Sequence, residues 1–205
     1  MTSLYLFRHA HTDFPPELIG GRSNEVPITE EGELQAKKLG QWIALERLQP
    51  DFVAVSPAVR TRETARIALE AAHIDKPPVF EDRLQELTKG DAEGQPREII
   101  NTPAILLRMK HEQNNFKYEN AESNNDAADR LEGWVSEMAN TRPEQTVFGF
   151  THGIVTRCLL ARYMHWTYGE LNESKFDNAA ATILQFKGNQ LTKIRFNVDT
   201  QRTAG

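Results

Sequence analysis

The sequence predicts an α/β fold: three layers, α/β/α, around a mainly parallel central sheet. Short apolar runs rich in strand formers alternate with longer segments of helical period, the pattern of a sheet covered on both faces. The runs are also nearly continuously apolar, as strands buried on both sides require. At 205 residues the chain has the length of one ordinary α/β domain, and it contains no repeat, low-complexity tract or clear linker. One domain over residues 1–205 is expected, with residues 95–125 as a cap-like insertion.

Residues 3–7 read as the first buried strand, followed by a polar loop with Pro15, Pro16 and Gly20-Gly21. Thr29 reads as an N-cap, with Glu30, Glu31 and Glu33 in a first turn where the helix dipole favours carboxylates. Leu34, Leu39, Trp42, Ile43 and Leu45 are expected on the apolar face of that helix, slightly weakened by Gly32. Residues 52–55 form the second predicted strand. Ser56-Pro57 then reads as a helix start, the hydroxyl capping and the proline at the first helical position, with helix over 58–72. Val79-Phe80 is a short strand leading into an acidic loop around Glu86.

Over 95–125 the pattern loosens. Two helical pieces are expected there, with 114–125 as a mobile connection. A long helix follows, its stripe formed by Ala127, Leu131, Trp134 and Met138. Residues 146–150 are a strand and 154–164 a helix. Residues 180–186 and 191–196 close the chain as a strand pair around Lys187-Gly188-Asn189.

Charge and cysteine content narrow the function. The 24 Lys and Arg against 29 Asp and Glu give a net charge of -5 with no basic run, which excludes a general nucleic-acid partner. Any anion site must be a local concentration of arginine in an acidic chain. Cys158 is the only cysteine, so no intrachain disulfide can form and a reducing compartment is expected. The apolar stretch Leu4 to Phe7 runs straight into Arg8 and His9, unlike a secretory signal, and no membrane-length apolar run is present. A cytoplasmic protein with no membrane partner is expected; oligomeric state is not legible.

In sheets of this class ligands bind beyond the carboxyl ends of the strands. Arg8-His9 follows the first strand, Ser56 and Arg60 the second, Glu86 the third, and Thr151-His152-Gly153 the fourth. These types suit one chemistry. Arginines bind phosphate oxygens in pairs of bonds and favour a neutral imidazole, which can act as a nucleophile. A second histidine can stabilise the transferring group, and an acid can protonate the leaving oxygen and then activate water. Nothing in this scheme requires a metal or cofactor, and a small phosphorylated substrate is the expected partner. His9, His11 and His152 also invite a zinc reading, but the adjacent arginines would repel the cation.

These residues also resemble the histidine phosphatase (phosphoglycerate mutase-like) superfamily, on its phosphatase branch. Leu6-Phe7-Arg8-His9-Ala10-His11-Thr12 is similar to its Arg-His-Gly signature, and Pro27-Ile28-Thr29-Glu30-Glu31-Gly32 to the next segment. Ser56-Pro57-Ala58-Val59-Arg60, then Arg83-Leu84-Gln85-Glu86 with Gly90-Asp91 and Glu93-Gly94, then Thr151-His152-Gly153 resemble the later blocks in order. The resemblance implies His9 as phosphoryl acceptor, Arg8, Arg60 and His152 as the phosphate pocket, and Glu86 as acid/base, chosen over Glu81 and Glu93. It further implies Thr12, Gly21, Arg22 and Gly153 as substrate-binding residues.

Three positions depart from the family pattern. Ala10 replaces glycine and is expected to crowd the backbone near the phosphate. His11 replaces a residue that is often Glu or Gln, and Pro15 stands near an asparagine position. The implied function is hydrolysis of a small phosphomonoester through a phosphohistidine on His9. The alternatives are a phosphoglycerate mutase-type phosphotransferase and a non-catalytic phosphate-binding module. His73, His111 and His165 read as surface or helix-end residues, Trp42, Trp134 and Trp166 as core, and Cys158 as a small buried hydrophobe.

Overall fold

The computed structural model describes residues 1–202. Strand β1 (Thr2–Arg8) lies near the middle of a six-stranded sheet with β2 (Phe52–Val55), β3 (Val79–Phe80), β4 (Thr146–Thr151), β5 (Ala181–Lys187) and β6 (Gln190–Val198), in the order β3-β2-β4-β1-β5-β6. The pairs β3–β2, β2–β4 and β4–β1 are parallel, and β5 and β6 are added antiparallel at one side. The fold is the mainly parallel α/β sheet the sequence predicts. Arg8 pairs with Thr151, and Val55 with Phe150, so β1, β2 and β4 end at one edge.

Alternation along β1 divides the core into two halves. Leu4 and Leu6 face the half that contains Leu131 and Trp134 of α5 (Asn124–Thr141) and Val155 and Leu159 of α6 (Gly153–Tyr163). Phe7 faces the half that contains Leu39 and Ile43 of α1 (Glu30–Leu45) and Ala65 and Ala68 of α2 (Val59–Ala71). There Phe7 packs edge-on against Phe148, with ring centroids 5.1 Å apart, and the same separation from Phe150. Gly149 leaves room for Trp134: a Cβ on it would lie 3.0 Å from the indole. Trp134 is fully buried, whereas Trp42 and Trp166 are half-buried at the rim.

Thr29 caps α1 as expected, accepting from the Gly32 N–H at 3.1 Å. Two readings of α1 change. Leu34 and Leu45 are solvent-exposed, and the buried stripe is Ala36, Leu39, Gly40 and Ile43. Gly32 does not merely weaken the helix, since a Cβ there would meet the His11 carbonyl oxygen at 2.5 Å. Helix α2 begins at Val59 with Ala58 as its N-cap and no side-chain cap. Ser56 and Pro57 therefore stand before the cap, not at the cap and the first helical position, and the Ser56 hydroxyl is engaged elsewhere.

The segment 95–125 holds α3 (Arg97–Ile100) and α4 (Pro103–Glu112), the two expected helical pieces. It is tied to the loop after β1 by the Ile19 N–H on the Gln95 carbonyl (2.9 Å) and the Arg97 N–H on the Glu17 carbonyl (2.9 Å). Pro15 therefore serves a turn, accepting from the Leu18 N–H, that presents this loop to α3. Residues 114–125, expected as a mobile connection, are instead bonded across: Asn124 to Asn114 at 3.1 Å, Asn125 to Asn115 at 2.7 Å, and the Tyr118 hydroxyl to Asn101 at 2.8 Å. Two amide ladders replace the apolar pattern that would have marked this order. The short helix α7 (Tyr168–Glu173) follows α6. Among the described residues, no helix is long and apolar enough to cross a membrane.

Helices α1 and α2 meet at Gly40, where a Cβ would lie 2.3 Å from the Ala68 carbonyl oxygen and 2.6 Å from the Ala71 Cβ. Gly40→Ala gains up to about 1 kcal/mol of helix propensity. Overpacking against backbone costs about 1–3 kcal/mol and outweighs it. Urea unfolding should show net destabilisation of about 1–2 kcal/mol; a stabilised variant would contradict this packing.

Candidate active site

A cleft of about 960 Å³ opens over the strand ends, lined among others by Arg8, His9, Thr12, Gly21, Arg60, Glu86 and Gly153. His9, the first residue after β1, is buried and fixed through its backbone. Its N–H donates to the Thr151 carbonyl (3.0 Å), and its carbonyl accepts from Asn178 Nδ2 (3.1 Å) and the Ala179 N–H (3.3 Å). Ala179 adopts a positive φ of 57° to make that contact. The His9 Nδ1 lies 2.8 Å from the Ala10 carbonyl oxygen, which can only accept. Nδ1 therefore carries the proton and Nε2 the lone pair. Burial, then the charges of Arg60 and Arg8, push the His9 imidazole down to about 3, so it is neutral near pH 7.

Ala10 does not crowd the site. Its methyl packs with Ala36, Ile67 and Ile28 on the side of α1 and α2, and its N–H donates to Thr64 Oγ1 at 3.0 Å. His11 turns to the N-terminus of α1, its Nδ1 2.9 Å from Thr29 Oγ1 and its N–H on Gln35 at 2.9 Å.

His152 is the N-cap residue of α6 and is fully buried, with its ring centroid 5.3 Å from that of His9. Its Nε2 lies 2.8 Å from Ser56 Oγ. This is where the hydroxyl expected to cap α2 goes. Burial, then Arg60, hold the imidazole well below its ordinary pKa. Among the described residues, neither the buried His152 Nδ1 nor the buried Arg8 Nε has a hydrogen-bond partner.

Neither Arg8 nor Arg60 forms an ion pair among the described residues. Arg8 donates to the Phe176 carbonyl, and Arg60, buried in the first turn of α2, donates to the carbonyls of Ser23 and Gly21. Arg62 and Arg66 on the same helix are exposed. Gly153 lets the Arg8 side chain approach the start of α6 closely, since a Cβ there would be 3.0 Å from Nε.

The three acids of the loop after β3 divide their work. Glu81 holds Arg83 at 2.7 Å. Glu93 accepts from the N–H groups of Arg22 (3.0 Å) and Lys89 (2.8 Å) and from the Thr88 hydroxyl (2.8 Å). Glu86 reaches the start of α6: Oε1 accepts from Leu87 (2.9 Å) and Val155 (2.8 Å), and Oε2 from Ile154 (3.0 Å). It thus supplies the cap that His152 does not, at the positive end of the helix.

Of the expected substrate-facing residues, Thr12, Gly21 and Gly153 line the cleft. A Cβ on Gly21 would lie 2.4 Å from Glu93 Oε1, which explains the glycine. Arg22 differs. Its Nε donates to the Glu86 carbonyl (2.8 Å) and its terminal nitrogen pairs with Glu122 (2.9 Å), so it holds the acid loop in place and does not line the cleft. The sequence reading missed Lys89, Arg97, Tyr118 and Arg157, all in the cleft wall. Arg157 had a usable signal, lying four residues after Gly153 on the same helix face. Cys158 is buried, and burial pushes its thiol up to about 12.

The chain belongs to the histidine phosphatase superfamily (branch 1), whose profile matches residues 4–199. It is 29% identical over 186 residues to the uncharacterized phosphatase PhoE of Bacillus subtilis, covering 91% of this chain and 89% of that protein. It is 25% identical over 208 residues to phosphoserine phosphatase 1 of Hydrogenobacter thermophilus, covering 97% and 93%. A phosphoserine phosphatase from Entamoeba histolytica, solved with 3-phosphoglyceric acid, has the same fold, with a TM-score of 0.80 at 19% identity over 98% of this chain and all of that one (100%).

Two buried neutral imidazoles make stability depend on pH. In the unfolded chain each histidine takes up a proton near pH 6.5, whereas folded His9 does so only near 3. Unfolded molecules therefore bind more protons in this window, and stability present above pH 6.5 is lost as pH falls toward 3. Between pH 6.5 and 5, His9→Asn should lower the slope of unfolding free energy against pH by up to about 1.4 kcal/mol per unit. Urea titrations in phosphate-free buffer measure this; an unchanged slope would mean that His9 is protonated in the fold.

Proposed function

We propose that the chain is a phosphatase that hydrolyses a small phosphomonoester through a phosphohistidine on His9. The observation that carries this reading is a buried His9, its Nδ1 held on the Ala10 carbonyl so that Nε2 is left with the lone pair, in the field of two guanidiniums that form no ion pair among the described residues. The partnerless Arg8 Nε and His152 Nδ1 add two positions that phosphoryl oxygens would satisfy. Phosphatases among its relatives support the same reaction class.

In the first step the Nε2 lone pair forms the N–P bond while the bond from phosphorus to the leaving oxygen breaks. A proton carried on Glu86 goes to that oxygen. In the second step the Glu86 carboxylate takes a proton from water, the water oxygen bonds to phosphorus, and the N–P bond breaks to return neutral His9. Glu86 Oε2 is suited to this exchange, because it accepts only one backbone bond and keeps a lone pair free. Arg8 and Arg60 neutralise the equatorial oxygens, and no net proton is gained or lost by the protein over the cycle.

His9→Ala should lower phosphate release from an aryl phosphate by at least about 10³-fold, and alkaline denaturation during turnover should leave a phosphorylated histidine peptide in wild type. Wild-type activity in the variant would overturn the scheme. A mutase would instead release little phosphate from phosphoserine or an aryl phosphate.

The role of Glu86 has its own signature. Glu86→Gln should slow an alkyl phosphate about tenfold more than an aryl phosphate, because an aryl oxide leaves without a proton. Equal losses on both substrates would make Glu86 only the cap of α6.

A further inference from the structure

The cleft carries more positive charge than one phosphoryl group requires. Beyond Arg8 and Arg60 it is lined by Lys89, Arg97, Arg157 and Lys175, against the carboxylates of Glu86 and Asp177. Among the described residues none of these six cations forms an ion pair, in a chain of net charge -5 whose other arginines are often paired. Both carboxylates are engaged elsewhere, Glu86 by backbone N–H groups and Asp177 by Asn197 at 3.0 Å.

Lys89, Arg97 and Arg157 reach the wall from three elements: the acid loop, α3 and α6. The Lys89 ammonium lies 5.9 Å from the centroid of the Tyr118 ring, which Asn101 fixes through its hydroxyl. Arg97 gives its Nε to the Pro16 carbonyl (2.9 Å) and Arg157 one terminal nitrogen to the Ser174 carbonyl (3.1 Å), so each is anchored with other N–H groups unused. Burial lowers the Lys89 pKa; the Glu86 charge opposes this, and the charges of Arg97 and Arg157 lower it further, so the three cations share one field. Lys89 and Arg157 are half-buried and Arg97 is exposed at the rim, and like charges facing one cleft without a partner are unfavourable unless an anion joins them.

We infer that Lys89, Arg97 and Arg157 form a second anion subsite, and that the substrate is a phosphomonoester bearing a further carboxylate or phosphate group. This rests on the phosphatase reading for the first phosphate. A diffuse basic rim would instead attract every anion alike and lose its effect in salt. A subsite discriminates by terminal group.

The test uses phosphonates that bind without turnover: butylphosphonate, 4-phosphonobutanoate and propane-1,3-diphosphonate, which end in a methyl, a carboxylate and a second phosphonate, together with homologues two methylenes longer. Calorimetry on the wild-type protein at low and high salt should show one of the doubly anionic series binding at least about tenfold tighter than its methyl-ended match, equivalent to about 1.4 kcal/mol. Which of the two is preferred identifies the second group. The Lys89→Met/Arg157→Met double variant should reduce that preference to about twofold or less, with folding checked by thermal melting. Equal wild-type affinities across the series, a preference that disappears in salt, or one that survives in the folded double variant each overturns the subsite. The wild-type series decides the question even where the variant does not fold. A terminal-group preference with no phosphate released from any phosphomonoester would leave the subsite standing and remove the phosphatase reading.

Discussion

Two guanidiniums, half-buried Arg8 and buried Arg60, sit at the carboxyl ends of the sheet, and among the described residues only carbonyl oxygens receive their N–H groups. Much of the surrounding structure follows from that charge. Burial and these cations together keep His9 and His152 neutral, which is what gives His9 a free lone pair. The same charge makes an anion the natural occupant and accounts for two enclosed polar atoms, Arg8 Nε and His152 Nδ1, being left unsatisfied. An isolated charge taken from water costs several kcal/mol. The fold offsets this in part with Glu86, whose field opposes the desolvation of both arginines.

Glu86 is held from both ends. Its carboxylate caps α6, and its carbonyl accepts from Arg22 and from Arg130 of α5. Glu122 joins the two arginines, at 2.9 Å from Arg22 and 2.8 Å from Arg130, while Arg130 also binds the carbonyls of Arg83 and Gln85. The segment 95–125, which contains Glu122, therefore does two things: it walls the cleft and braces the loop that carries the acid. A shift of that segment would move the wall and Glu86 together.

The sheet and the residues that gather at its carboxyl edge were legible because each is local. Arg8-His9, Arg60 and Thr151-His152-Gly153 stand within a few residues of a strand end, and strand ends are readable from apolar runs. What escaped depended on distant partners. A hydroxyl before Pro57 reads equally as a helix cap, and only folding brings the His152 ring, 96 positions away, to Ser56. Arg22 carries no mark that separates a cleft residue from a brace for Glu122. Leu34 and Leu45 fit the helical period, yet α1 turns Ala36 and Gly40 inward, because the close approach of α2 admits only small residues there. Ala10 showed the converse. Its departure from the family pattern looked disruptive in the sequence and is absorbed by a small apolar cluster behind the site.

Ala179 holds the backbone of His9 from a left-handed conformation, φ 57°, that an alanine adopts at a cost of about 1 kcal/mol and a glycine adopts freely. Glycine would also have more conformations to lose on folding, which offsets part of that cost. They differ in the width of the well. The left-handed minimum open to alanine is narrower than glycine's, so the buried Ala179 N–H that meets the His9 carbonyl has less backbone freedom. Here a small loss of thermodynamic stability is exchanged for a narrower backbone well behind the His9 ring.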